Sequence, residues 1–339
     1  MLCFLLKDNP GCYRVQGRAG LTDYGALCFD QTANALEFSA VCGGRVSVML
    51  SVMHANFLRI GLGKDNTCCF AVEIDGERVR SRVALQGEGQ FLTLCTDLPR
   101  GTHRFRVIKE NRQAIALADI YAVFLDGKLL PAEEDTRPLI EIVGDSITCG
   151  WGNLDPDPAD NGHRFEDGTQ AYAYRLAQKL DCAYSILGHS GQGWLQRRGA
   201  PWTVAIPTAY EYLSYYRSHG EADRYTHPRT PALIVVHVGT NDAIDRRTEE
   251  ELRTPVCDFV CALRRRFGDG IRVLFLMSTM DGYCDEAIES IVQSLNDGGT
   301  LYTLRTGRYT AGGKGHPHAT EHALLCDEVY DFIHAHIPL

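Results

Sequence analysis

The stretch "LPAEEDTRP", residues 130–138, divides the chain into two halves that cannot share one architecture. Its two prolines and three consecutive acids interrupt any strand or helix that reaches them. Before the break, apolar residues come in short runs closed by turn residues: "ALEFSAV", "GRVSVMLSV", "NFLRIGLG", "CCFAVEIDGERV", "FLTLCTDL", "HRFRVIKE" and "IALADIYAVFLDG". Asp75-Gly76 carries hairpin chemistry, and Gly43-Gly44 reads as a second hairpin turn. Many short strands without a helical period predict a β-sandwich of jelly-roll type over residues 1–132.

After the break the period changes. Strand-like runs at 139–144, 182–187, 232–238, 271–278 and 300–304 alternate with helical patterns near 169–180, 207–218, 248–267, 284–296 and 320–336. The run "ALIVVHVG" is apolar on both faces, as a central strand of a covered parallel sheet must be. Residues 133–339 are therefore expected to form an α/β domain with a doubly wound parallel sheet. Such sheets bind ligands beyond the carboxyl ends of their strands.

Composition narrows what can bind there. With 45% hydrophobic and 23% charged residues and no low-complexity tract, the chain is of the soluble globular kind. A net charge of -9 and a pI near 5.7 argue against a nucleic-acid partner, which calls for clustered Lys and Arg. The cluster Arg264 to Arg266 closes a helical pattern, where cations complement the helix dipole. The apolar run before Lys7 is too short for a signal peptide or a membrane span, and the thirteen cysteines include no CxxC pair. A cytoplasmic protein with no membrane partner is expected.

Four segments fall at the expected strand ends: Ser146 in "VGDSITCG", Gly191 in "LGHSGQG", Asn241 in "VGTND", and His316 in "GKGHPHATEH" before the last helix. Their chemistry is complementary. A serine hydroxyl becomes a nucleophile when a base takes its proton, and histidine is the usual base near neutrality. The negative oxygen of a tetrahedral intermediate needs fixed donors, which the N–H groups of Ser146 and Gly191 and the Asn241 carboxamide can supply.

In this order, "GDSIT", "SGQG", "GTND" and "HPHATEH" resemble the SGNH hydrolases, also called GDSL esterases. The sandwich upstream, the join "DGKLLPAEEDTRPLIEIVGDSITCGWGN", and the stretches "VEIDGERV" and "LPRGTHRFRVIKEN" resemble carbohydrate esterase family 2. Those two-domain enzymes remove acetyl groups from xylan, mannan and related sugars. The resemblance implies Ser146 as nucleophile, His316 as base, and Gly191, Asn241 and Ser146 as oxyanion hole. It also implies an acetylated xylo- or manno-oligosaccharide as substrate, with no cofactor and no metal. One departure stands out: the acid that many SGNH enzymes carry three residues before the histidine is Gly313 here, and "AGGKG" contains no acid. Some members of family 2 hold the ring with a main-chain carbonyl, so a Ser146–His316 dyad is expected.

Other residues compete for these roles. Asp145 reads as a brace for the turn rather than a triad acid. The string "GHSGQ" offers Ser190 as a rival nucleophile, but Gln192 stands where the nucleophile elbow needs its last glycine. His316, His318 and His322 have the look of a metal cluster, yet His322 falls in the final helix. Trp151 and Trp194 are expected as platforms for the sugar, Trp202 less so, and Asp167 with "NLDPDPADNGHRFEDGTQAY" is expected to line the cleft. Two other function classes share these features: a carbohydrate-binding protein with a vestigial site, and an SGNH lipase or thioesterase for a non-sugar ester. Acetyl transfer in place of hydrolysis uses the same chemistry, and the sequence specifies neither the sugar nor the oligomeric state.

Overall fold

The structure, a computed structural model, describes residues 1–339 apart from 54–66, 114, 156–164, 202, 216, 218–223 and 297. The strand-like run at 56–63, Trp202 and the middle of the 153–172 loop lie outside the described residues. The chain forms two compact units, Met1–Thr136 and Arg137–Leu339, which part within the stretch rich in proline and acids.

The first unit is built from β1 (Leu2–Leu5), β2 (Tyr13–Gln16), β3 (Gly20–Leu21), β4 (Leu27–Cys28), β5 (Ala35–Met53), β6 (Cys68–Ile74), β7 (Glu77–Leu85), β8 (Gln90–Lys109) and β9 (Leu117–Leu129). They pair antiparallel in the order β3-β4-β9-β5-β8-β6-β7, with β1 on β9 and β2 on β5. Asp75 and Gly76 join β6 to β7 with φ of 54° and 89°, the two positive angles that a tight primed turn requires.

The reading of Gly43-Gly44 as a hairpin is corrected. Both glycines lie inside β5, where register shifts against β8 and β9 mark bulges. A Cβ on Gly43 would sit 3.0 Å from the Cα of Arg100 on β8, a tight contact that a larger residue could relieve only by shifting the neighbouring backbone. Leu36, Phe38, Ala40 and Cys42 before the bulges, and Val46, Val48, Leu50 and Val52 after them, all enter one apolar core. These residues are all even-numbered, so β5 keeps one face on that core through its bulges. The runs "FLTLCTDL" and "HRFRVIKE" are likewise two halves of one strand, β8.

The second unit has β10 (Leu139–Gly144), β11 (Ala183–Gly188), β12 (Leu233–His237), β13 (Val273–Met277) and β14 (Leu301–Arg305), paired in parallel in the order β11-β10-β12-β13-β14. Its helices are α1 (Ser146–Cys149), α2 (Tyr172–Lys179), α3 (Ile206–Tyr210), α4 (Thr240–Ile244), α5 (Glu249–Phe267), α6 (Asp285–Leu295) and α7 (Ala319–His336). The strands match the expected runs to within a residue or two at their ends. The helix expected over 207–218 stops at Tyr210, because Tyr212 pairs as an isolated bridge with Arg224 and the Glu211 carbonyl accepts from the N–H of Tyr225. The spatial order of the strands reverses at β10, which makes its carboxyl end the switch point of the sheet. No helix among the described residues is long and apolar enough to cross a membrane.

Candidate active site

Strand β10 is buried along its whole length and ends at Gly144. A Cβ there would lie 2.1 Å from the Thr148 hydroxyl and 2.7 Å from the His237 carbonyl, so only glycine lets the chain turn directly into α1. Asp145 caps that turn: its Oδ1 accepts from the Ile147 N–H at 3.0 Å. This is the bracing role expected for it. Ser146 is the first residue of α1, where the backbone N–H has no partner within the helix.

His316 arrives from the opposite end of the unit. Its Nε2 lies 2.8 Å from Ser146 Oγ, and its Nδ1 lies 3.1 Å from the carbonyl oxygen of Gly313. A carbonyl only accepts, so Nδ1 carries the proton and Nε2 presents a lone pair to the serine hydroxyl. That is the tautomer a general base requires. The carbonyl is aimed by a tight turn, in which the Gly315 and His316 N–H groups donate to the Gly312 and Gly313 oxygens. The half-buried Trp151 ring packs on the imidazole, with centroids 4.4 Å apart and planes tilted by 42°.

Gly191 follows β11, which neighbours β10 with Gly188 opposite Gly144. It adopts φ of +80° beside open space, and among the described residues neither its N–H nor that of Ser146 donates to a protein acceptor. Asn241, on α4 beyond β12, is buried with every polar atom of its side chain engaged. Its Nδ2 donates to Asp145 Oδ2 at 3.1 Å and to the Gln192 carbonyl at 2.8 Å, while its Oδ1 accepts from Arg197 Nη1 at 3.2 Å. The structure thus gathers all four expected segments at the ends of β10, β11 and β12, but leaves no amide hydrogen of Asn241 unengaged.

Helix α4 also anchors the segment that follows Gly191. Asp242 accepts from the N–H groups of Trp194 at 2.8 Å and Leu195 at 3.2 Å. Asp245 accepts from Arg197 Nε at 3.1 Å and from the Arg198 N–H at 2.8 Å. Burial pushes the Asp242 carboxyl up to about 6 and the Asp145 carboxyl up to about 7, the hydrogen bonds to each offsetting only part of the effect. Asp242, Asp245 and Arg197 escaped notice in the sequence, although Asn241 and Asp245, the C-cap of α4, stand four apart.

Two sequence readings are corrected. Trp194 is no sugar platform: it is 1% exposed, donates its indole N–H to the Val238 carbonyl at 3.2 Å, and packs on Phe259 and Phe275. Asp167 does not line a cleft, since its buried carboxylate accepts from the Thr169 N–H, the Thr169 hydroxyl and the Gln170 amide. Among the described residues Ser190 makes no hydrogen bond to a base. The three histidines diverge in role: His318 caps α7 through Thr320, and His322 is buried with Nδ1 accepting from the Tyr172 N–H at 3.2 Å. Among the described residues no group of three or more His, Cys, Asp or Glu is arranged to hold a metal.

Comparison with known proteins places this geometry in context. The model of the GDSL-like lipase/acylhydrolase family matches residues 142–318, more than half of the chain. The cellulase/esterase CelE of Acetivibrio thermocellus is 24% identical over 250 residues, 70% of this chain but only 30% of that protein. An acetylxylan esterase / glucomannan deacetylase of Cellvibrio japonicus is 23% identical over 327 residues, 93% of this chain and 86% of that one. Among solved structures, a family two carbohydrate esterase from Clostridium thermocellum in complex with cellohexaose superposes with a TM-score of 0.81 at 20% identity, covering 95% of this chain and 98% of that one.

Proposed function

The chain belongs to the GDSL-like lipase/acylhydrolase family and has the two-unit fold of the family two carbohydrate esterases, and on that premise we propose that it is a serine esterase removing acetyl groups from acetylated xylo- or manno-oligosaccharides. The observation that carries the proposal is the Ser146–His316 pair, 2.8 Å apart with the proton of the imidazole fixed on the far nitrogen by Gly313. The curated relative named an acetylxylan esterase / glucomannan deacetylase supports the substrate class. We read the first unit, whose long antiparallel strands share one core, as a jelly-roll accessory domain. The thirteen free thiols support a reducing, cytoplasmic setting.

In the first half-reaction Ser146 Oγ attacks the acetyl carbonyl carbon while His316 Nε2 takes the hydroxyl proton. The carbonyl oxygen becomes an oxyanion between the unengaged N–H groups of Ser146 and Gly191. Asn241 contributes a third donor by exchange: the Nδ2–H that donates to Asp145 Oδ2 donates instead to the oxyanion, while the shorter bond to Gln192 remains. The intermediate collapses, the C–O bond to the sugar breaks, and His316 gives its proton to the departing sugar oxygen. Water then attacks the acetyl-serine with His316 as base, releasing acetate and restoring Ser146.

Mass spectrometry of acetylated xylo- and manno-oligosaccharides before and after incubation tests the assignment. Stepwise loss of acetyl groups by the parent, and none with Ser146→Ala, is expected. Oligosaccharides that bind but keep every acetyl group would instead make the chain a carbohydrate-binding protein.

A further inference from the structure

The amide of Asn241 can sit in its pocket in either of two orientations, related by turning the plane over. Its partners permit one. The Gln192 carbonyl, and the Asp145 carboxyl in its ionised form, only accept, and both meet Nδ2; the Arg197 guanidinium only donates, and it meets Oδ1. Turned over, the amide would set oxygen against two acceptors and hydrogens against a cation. Arg197 is the one charged donor of the three, and a cation on an amide oxygen strengthens the N–H groups on the other side as donors. The guanidinium is itself fixed, its Nε held by Asp245, the residue that caps the C-terminus of the helix carrying Asn241.

We infer that Arg197 is a positioning residue of the oxyanion hole, which keeps the nitrogen of the Asn241 amide, and not its oxygen, turned toward the reacting carbonyl. The inference rests on the esterase reading and adds a residue outside the four family motifs. It explains why a partly exposed arginine beside the site, with 25% of its side-chain surface open, is tied at both ends of its guanidinium instead of extending into water.

A double-mutant cycle on hydrolysis of 4-nitrophenyl acetate tests it, with Arg197→Met, Asn241→Ala and the pair measured beside Ser146→Ala. Arg197→Met is expected to lower kcat by about ten-fold, a fraction of what loss of an oxyanion donor costs, with KM changed by less than about two-fold. Arg197→Lys, which keeps a cationic donor, should recover most of that loss. In the Asn241→Ala background Arg197→Met should cost less than about two-fold, because the residue acts only through the amide. An equal loss in both backgrounds, or a parental kcat in Arg197→Met, overturns the inference. If Arg197→Met fails to melt cooperatively, Arg197→Ala, which likewise removes the cationic donor, takes its place in the cycle under the same criterion of coupling to Asn241. Full activity in Ser146→Ala would instead overturn the esterase reading itself, whereas an inactive Ser146→Ala beside a fully active Arg197→Met removes Arg197 alone.

Discussion

The carbonyl oxygen of Gly313 lies 3.1 Å from Nδ1 of His316, so the backbone of the histidine's own loop accepts from the imidazole at the position where many SGNH enzymes carry an acid. A neutral acceptor fixes the tautomer as a carboxylate would, but stabilises the imidazolium less. The site is also built against restoring the acid. A Cβ on Gly313 would stand 3.1 Å from Asp155 Oδ2 and 3.4 Å from Trp151 Cζ3. Gly313→Asp would therefore crowd the ring that packs on His316 and set a second carboxylate beside the buried Asp155.

The expected result is that Gly313→Asp lowers kcat for an aryl acetate by about ten-fold, and that adding Asp155→Asn recovers part of the loss by relieving like-charge repulsion. Steady-state kinetics of the single and double variants decides the matter. A Gly313→Asp enzyme faster than its parent would mean that the backbone carbonyl is a poor substitute and that the loop accommodates an acid freely.

Ser146 and Ser190 make a second contrast. Of the two, only Ser146 is hydrogen-bonded to a base among the described residues, at 2.8 Å, so an organophosphate should label it alone, and mass spectrometry of proteolytic peptides reads the site directly. Ser146→Ala should lose more than about a thousand-fold in kcat while Ser190→Ala stays within a small factor of the parent. Labelled Ser190 in the folded parent would reverse the assignment.

The strands of the second unit were legible in the sequence because a buried parallel strand is an uninterrupted apolar run, and "ALIVVHVG" has no competing interpretation. Ser146, Gly191, Asn241 and His316 were legible because the fold rule sends strand ends to one place. What was not legible depends on partners distant in sequence. Gly43-Gly44 signals a hairpin and a bulge equally well until the adjacent Arg100 backbone is known. Trp194 looks like a sugar platform until Phe259 and Phe275 close over it, from segments more than sixty residues away. The commitment of Asn241 to Asp145, Gln192 and Arg197 leaves no trace in any local string.

The two tryptophans that the sequence treated alike should therefore separate by measurement. Trp194→Ala removes a ring from the core and should cost about 3–5 kcal/mol of stability, the usual range for a buried aromatic. Trp151→Ala leaves that core intact but frees the His316 ring, so it should lower kcat by about ten-fold with little change in melting temperature. Chemical denaturation and kinetics on the same preparations check both, and a Trp151→Ala protein that melts as early as Trp194→Ala would place Trp151 in the fold and not in the chemistry.

Acid stability gives the last prediction. Burial lowers His322 and His237 from their ordinary value to about 3, His322 further through neighbouring histidines. Between about pH 3 and 6.5 the folded chain thus binds fewer protons at these groups than the unfolded chain, so their contribution is present above pH 6.5 and lost as the pH falls. Asp145 and Asp242, raised to about 7 and about 6, act with the opposite sign: their contribution is present below about pH 4 and lost as the pH rises through those values. In the window from about pH 4 to 6 the two pairs oppose, and the parent's stability should change little through them. His322→Gln, whose side-chain oxygen can still accept from the Tyr172 N–H, removes one histidine from that balance. Urea denaturation at a series of pH values should then show the variant gaining on the parent by about 1.4 kcal/mol for each unit the pH is lowered below 6.5. Parallel stability curves for the two proteins would mean that His322 reaches water or another partner when charged, contrary to its complete burial beside Tyr172.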